Sequence, residues 1–191
     1  GKSTLIESLK DFFKEKKIDF LFTREPGGTK EGQEIRKILL EQSFDLNPYA
    51  ETFLLLADRI QHVESIIRPA LQSNKHVLSD RYVESTFAYQ GAGRGLNQIE
   101  LEGFIKNLNF PEPNLTIYLD LPVQEGLKRV KNRGKTDRFE RENLIFFEKI
   151  RSFYLDLVKK DPQRYFLIDA SIPIDEVFRL ARDRILKELN D

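Results

Sequence analysis

Gly1-Lys2-Ser3-Thr4 constrains the fold more than any other stretch of the chain. It is the back half of a phosphate-binding loop, the G-K-[ST] end of G-x-x-x-x-G-K-[ST]. Such a loop hangs from a buried strand and runs into a helix whose N-terminal N–H groups and dipole face the anion. The Lys ammonium reaches the β- and γ-phosphates, and the hydroxyl goes to Mg²⁺. A Gly-Lys-Ser start is also what a cloning scar leaves. The next residues favour the loop, because Leu5, Ile6, Leu9, Phe12 and Phe13 share one face of a helix. The strand and the front of the loop are absent, so the chain reads as truncated within the phosphate loop, with activity uncertain in that form.

A chain of 191 residues is one domain with room for a substantial core. Formal net charge is zero, so an anion site must come from local clustering. There is no Cys, which removes disulfides and Cys-ligated metals. No apolar run approaches the ~20 residues of a membrane span. A cytoplasmic protein with no membrane or nucleic-acid partner is the expectation.

Short β-rich runs alternate with helical patterns. Strands are predicted at Asp19–Thr23, His76–Ser79, Leu115–Leu119 and Tyr165–Ile168. A long helix is predicted from Pro48 to about Leu71, with Asn47 as N-cap and Pro48 at the first helical position. A shorter one starts at Asn97, with Glu100 completing a capping-box-like pair. Others follow Pro122, carry Phe146 to Val158, and close the chain from Ile174. This alternation predicts an α/β fold, a parallel sheet covered by helices on both faces and lacking its first strand. Ligands then sit at the carboxyl ends of the strands.

Four polar clusters lie where that rule puts them. Arg24-Glu25-Pro26-Gly27-Gly28-Thr29 is a turn whose glycines allow close approach of a ligand, with Thr29 as N-cap of the next helix. On its own it equally fits a surface turn. Asp58-Arg59 follows an apolar run inside the long helix, as a solvated face or a pocket floor. His76 to Asp80 reads as a strand ending in a Walker-B-like carboxylate, with Arg81 beside it for an acceptor phosphate. Ser85, Thr86, Tyr89 and Gln90 follow, with base- or sugar-reading character. Last, Lys128 to Arg141 is a cation-rich stretch around Gly134. It fits a solvated face, or a mobile lid at about 132–142 whose arginines stabilise a transferred phosphoryl.

The order of these clusters resembles bacterial thymidylate kinase. Gly1–Thr4 matches the end of that family's phosphate loop. Thr23–Thr29 is its T-R-E-P-G-G-T, Asp80–Arg94 its D-R-Y-x-x-S-x-x-A-Y-Q-G-x-G-R, and Arg133–Arg138 its R-G-x-x-D-R lid. The resemblance implies transfer of the γ-phosphoryl of ATP to dTMP, with Mg²⁺, in a homodimer. By position, Gly1, Lys2, Ser3 and Thr4 bind ATP, and Ser3 and Asp80 hold the metal. Arg24, Pro26, Leu55, Arg59, Arg81, Ser85, Thr86, Tyr89 and Gln90 bind dTMP. Arg59 would read the thymine edge, and Tyr89 would exclude a 2′-hydroxyl. Lys2, Arg81, Arg133 and Arg138 are the catalytic candidates.

One departure stands out. The family has a thymine-stacking Phe where this chain has Leu55. Phe53 lies two residues away, about 200° around a helix, and cannot substitute. Another nucleoside-monophosphate or deoxynucleoside kinase, or an inactive nucleotide-binding protein, is the alternative. A GTPase is disfavoured because no N-K-x-D guanine reader is present.

Overall fold

The computed structural model describes residues 1–131, 134 and 137–190. Two parallel strand pairs form its centre. In the first, β1 (Phe20–Arg24) runs beside β2 (His76–Asp80), with Phe20 opposite His76 and Arg24 opposite Asp80. In the second, β3 (Thr116–Asp120) runs beside β4 (Tyr165–Asp169), with Asp120 opposite Asp169. The expected single sheet is therefore two two-stranded ones among the described residues. What unites them is side-chain packing. Phe20, Phe22 and Leu78 of one pair, and Ile117, Leu119, Phe166 and Ile168 of the other, enter the same core.

Two helices close that core. Helix α1 (Lys2–Glu15) buries Leu5, Leu9 and Phe13, and α9 (Ile174–Asn190) buries Val177, Ala181 and Ile185. Each set repeats every fourth residue, the stripe that an amphipathic helix turns inward. Fully burying one Leu or Phe contributes about 1.5–3 kcal/mol, so this seam fixes the start of α1, and Lys2 with it, against the strands.

The crossover between β1 and β2 holds α2 (Lys30–Leu40), α3 (Pro48–His62) and α4 (Arg68–Gln72). The caps are as predicted. Thr29 Oγ1 accepts from Gly32 N at 2.9 Å, and Asn47 Oδ1 accepts from Tyr49 N at 2.9 Å. The predicted Pro48–Leu71 helix is interrupted by a π-helical stretch, Val63–Ile67. Pro69 lies two residues beyond it, and its missing N–H removes one α-helical hydrogen bond, which wider pairing accommodates.

After β2 come α5 (Val83–Thr86), a π-helical segment Phe87–Gly93 and α6 (Gln98–Lys106). Asn97 caps α6 through Ile99 N, but Glu100 does not reach back to complete a capping box. Its carboxylate instead accepts from the Tyr49 hydroxyl of α3 at 2.7 Å. Helices α7 (Val123–Lys131) and α8 (Leu144–Lys160) flank a short 3₁₀ turn at Phe139–Arg141.

Candidate active site

The carboxyl ends of β1 and β2 meet the amino end of α1. Lys2 Nζ lies 2.6 Å from Asp80 Oδ1, so the phosphate-loop lysine and the strand-end carboxylate form one ion pair. Desolvation, then Arg81, push the Lys2 ammonium down to about 8, with Asp80 opposing them. Ser3 and Thr4 stand exposed in the same first turn. A hard divalent cation takes oxygen ligands and keeps several waters, so a Ser hydroxyl and one carboxylate beside a triphosphate suit Mg²⁺. No cluster of three or more His, Cys, Asp or Glu able to hold a metal by itself occurs among the described residues.

Arg81 follows Asp80 with φ of +72°. A non-glycine residue in that region stores strain of order 1–3 kcal/mol. The conformation turns Arg81 out of the strand direction, where its guanidinium covers the Tyr89 ring, 4.7 Å from the centroid, and Nη2 donates to the Tyr89 hydroxyl at 2.9 Å. Ser79 Oγ donates to Arg81 O at 2.8 Å and supports the bend.

The Arg24–Thr29 turn sits opposite. Glu25 N donates to Asp80 O at 2.9 Å, which ties the turn to β2. Gly27 has φ of +99°, a conformation that favours glycine. Gly28 was expected to admit a ligand. Its close neighbour is instead internal: a Cβ there would lie 2.4 Å from the His62 ring and 2.9 Å from Arg24 O. Arg24 is exposed, and Pro26 O accepts from Arg36 Nη1 at 2.9 Å.

Arg36 was not anticipated. Burial, then Arg24, depress its guanidinium, with Arg81 acting the same way and Asp137 and Asp80 opposing. Lys2, Arg24, Arg36 and Arg81 thus share one electrostatic neighbourhood. It carries more positive than negative charge, the complement of phosphate. No local pattern on α2 marks Arg36; only the fold brings it there.

Beneath the turn lies a buried polar network on α3. Arg59, 2% exposed, donates from Nε to Glu25 Oε2 at 2.6 Å, from Nη1 to Thr86 Oγ1 at 2.9 Å and from Nη2 to Tyr82 O at 3.0 Å. His62, fully buried, joins Thr23 Oγ1 at 2.6 Å and Glu25 Oε1 at 2.9 Å. Asp58 accepts from Gly27 N at 2.9 Å, and burial raises its carboxyl above the usual range. Asp58-Arg59 is therefore no solvated face. Leu55 is half-buried on the same helix, whereas Phe53 is 52% exposed against Phe104.

The remaining predicted residues divide between this floor and the next helix. Thr86 is buried against Arg59, and Ser85 Oγ lies 3.2 Å from the Tyr154 hydroxyl. Gln90 is buried, with Nε2 donating to Glu51 at 2.7 Å and Oε1 without a hydrogen-bond partner among the described residues. Arg138 is not free to swing: its Nη2 pairs with buried Glu51 and its Nε donates to Leu39 O at 3.0 Å. Arg133 lies outside the described residues, as does part of the 132–142 segment expected to be a lid.

Parallel strands flanked by helices, with a phosphate-loop lysine paired to a strand-end Asp and an Arg beside it, define a phosphate-loop nucleotide kinase. The model of the family "Thymidylate kinase" matches residues 1–181. The thymidylate kinase of Acinetobacter baumannii (strain SDF) is 44% identical over 183 residues, covering 95% of this chain and 92% of that protein. That of Kosmotoga olearia is 37% identical over 190 residues, covering 98% and 89%. The crystal structure of thymidylate kinase from Ehrlichia chaffeensis superposes with a TM-score of 0.77 at 26% identity, covering 98% of this chain and 92% of that one. The chain belongs to the thymidylate kinase family.

Proposed function

We propose that the corner formed by Lys2, Asp80 and Arg81 is where phosphoryl transfer takes place. The reaction is phosphorylation of dTMP to dTDP with ATP as co-substrate. The observation that carries the assignment of this corner is the 2.6 Å Lys2–Asp80 pair with Arg81 next in sequence, since donor and acceptor groups converge there.

The chemistry asks little covalent help. At neutral pH the attacking oxygen belongs to a phosphate already largely ionised, its second pKa being about 6, so no general base is required. The new bond joins that oxygen to the γ-phosphorus as the bond to the β–γ bridging oxygen breaks, and ADP leaves. Gly1, Lys2, Ser3 and Thr4 take the donor phosphates at the start of α1, where the backbone N–H groups and the helix dipole favour anions. Arg81, with Arg24 and Arg36, takes the dTMP phosphate and holds it in line. Mg²⁺, held by Ser3 and Asp80, would neutralise charge on the β- and γ-oxygens.

Thymine lies over the α3 floor, beside Leu55. Arg59 has five N–H groups, and its three hydrogen-bond partners among the described residues use one on each nitrogen. A further N–H serves a base carbonyl, while Thr86, Ser85 and Gln90 Oε1, which has no hydrogen-bond partner among the described residues, complete the nucleoside contacts. Tyr89, fixed against Arg81, stands at the sugar and selects deoxyribose. No described helix is long and apolar enough to cross a membrane, and the substrates point to the cytoplasm. Tyr49, Phe53 and Ile60 expose an apolar face of α3, which meets α6 through Tyr49–Glu100 and Phe53–Phe104, and Ile99 of α6 is exposed as well. We assign that face to a homodimer, which sedimentation would test.

Rates with dTMP, dUMP, dCMP and thymidine as acceptors test the function. dTMP is expected to be phosphorylated fastest. Phosphorylation of thymidine without phosphorylation of dTMP would contradict the proposal.

A further inference from the structure

Glu51 has no place in the phosphoryl-transfer scheme, yet it is among the most buried charged groups of the protein, with no exposed surface. A carboxylate removed from water persists only where donors replace its hydration. Glu51 draws its donors from two separate segments. Gln90 Nε2 reaches Oε1 at 2.7 Å, and Arg94 Nε and Nη2 reach the two oxygens at 3.3 Å. From the other side of the chain, Arg138 Nη2 closes on Oε2. Arg94 in turn pairs with Glu142 at 2.5 Å. Both ends of the 137–142 segment are therefore fastened, directly or through Arg94, to one carboxylate on α3.

This fastening leads back to the acceptor site. Between Arg138 and Glu142 lies Phe139, whose ring carries the Arg138 guanidinium at 4.7 Å and that of Arg94 at 5.8 Å. Tyr89 meets Phe139 edge-on at 5.8 Å and Phe146 at 5.9 Å. The face of Tyr89 carries Arg81, and its hydroxyl accepts the Arg81 hydrogen bond. Gln90, held by Glu51, is the next residue along the chain. Tyr89 is thus gripped twice by partners of Glu51, once through the backbone and once through the Phe139 ring.

We propose that Glu51 is a positioning residue. It anchors the 137–142 segment and, through Arg138, Phe139 and Tyr89, fixes the guanidinium of Arg81 for the acceptor phosphate. In this arrangement Arg138 acts by anchoring and not by touching the transferred phosphoryl. The inference rests on the phosphoryl-transfer reading for Arg81, but the anchor itself is tested without turnover.

The experiment compares wild type with Glu51→Gln, Arg138→Met and the double variant. Hydrogen exchange of amides 137–146 is measured by mass spectrometry, together with kcat/KM for dTMP, ADP affinity and the thermal melt. Either single change is expected to raise exchange across 137–142 by about tenfold. Each should lower kcat/KM for dTMP by about tenfold while ADP affinity stays within about twofold. The double variant should be no worse than the more severe single, because the two residues act as one unit. Wild-type exchange at 137–142 would overturn the proposal. So would faster exchange with kcat/KM for dTMP unchanged, the signature of a purely structural contact. If Glu51→Gln shows no cooperative melt, Arg138→Met decides the matter by the same readings. A wild-type protein that fails to phosphorylate dTMP speaks against the parent reading and leaves the exchange test of the anchor standing.

Discussion

Arg59 and Glu25 meet at 2.6 Å with both side chains almost entirely buried. This pair joins α3 to the turn after β1, and Glu25 also receives His62. Removing one partner of a buried pair leaves an uncompensated charge and costs about 3–5 kcal/mol. Glu25→Ala is therefore expected to lower unfolding free energy by that amount in a denaturant titration. Glu25→Gln keeps a hydrogen-bonding group in place and should cost roughly 1–3 kcal/mol. A loss below ~1 kcal/mol for Glu25→Ala would show that the pair is not buried as described.

Gly28→Ala tests the packing directly above. The added methyl would meet the His62 ring at 2.4 Å and Arg24 O at 2.9 Å, and neither is the free end of a flexible chain. Overpacking of this kind costs about 1–3 kcal/mol. A thermal melt should fall accordingly, and equal or higher stability would contradict the close approach.

Much of the architecture was legible because local chemistry and global fold agree. The strands, Thr29 and Asn47 stand within a residue of their predicted places. The floor of the site was not, because α3 inverts the usual pattern. Glu51, Asp58 and His62 fall at i, i+7 and i+11, one face, and that face is buried. Phe53 and Ile60 lie opposite and are exposed. Periodicity assigns polar residues to solvent, so it misplaces a helix whose polar stripe supports a site. A charged stripe facing an apolar one on a helix that also carries Asp58-Arg59 was the available signal. Pairing the strands two by two, and the approach of Arg36, depend on contacts distant in sequence, which no window shows.

Lys2 sets the pH dependence. Its ammonium is lowered from 10.5 to about 8, chiefly by desolvation. The unfolded chain therefore binds more protons between about 8 and 10.5, and stability contributed by this group rises with pH across that window. Nucleotide binding follows the opposite sign. A triphosphate favours the charged lysine, so ATP affinity should decline as pH rises through about 8. Calorimetry at that pH in buffers of different ionisation enthalpy should register proton uptake on ATP binding. Proton release, or none, would remove Lys2 from the phosphates.

Leu55 stands half-buried on the floor where the family resemblance places a stacking ring. Aromatic stacking on a base is worth roughly 1–3 kcal/mol. Leu55→Phe is expected to tighten dTMP binding by that amount in a direct titration. Unchanged affinity would show that thymine does not lie over this position.

Arg81 carries the central claim, that Lys2 and Asp80 serve the donor while Arg81 holds the acceptor. The decisive measurement is the rate of dTDP formation from ATP and dTMP in wild type and Arg81→Ala, alongside ADP affinity of both. Loss of one charged contact aimed at the transferring group lowers kcat by roughly 10²–10³. Arg81→Ala is expected to show such a loss with ADP affinity essentially unchanged. Parallel loss of turnover and ADP binding, or turnover retained without Arg81, would contradict it.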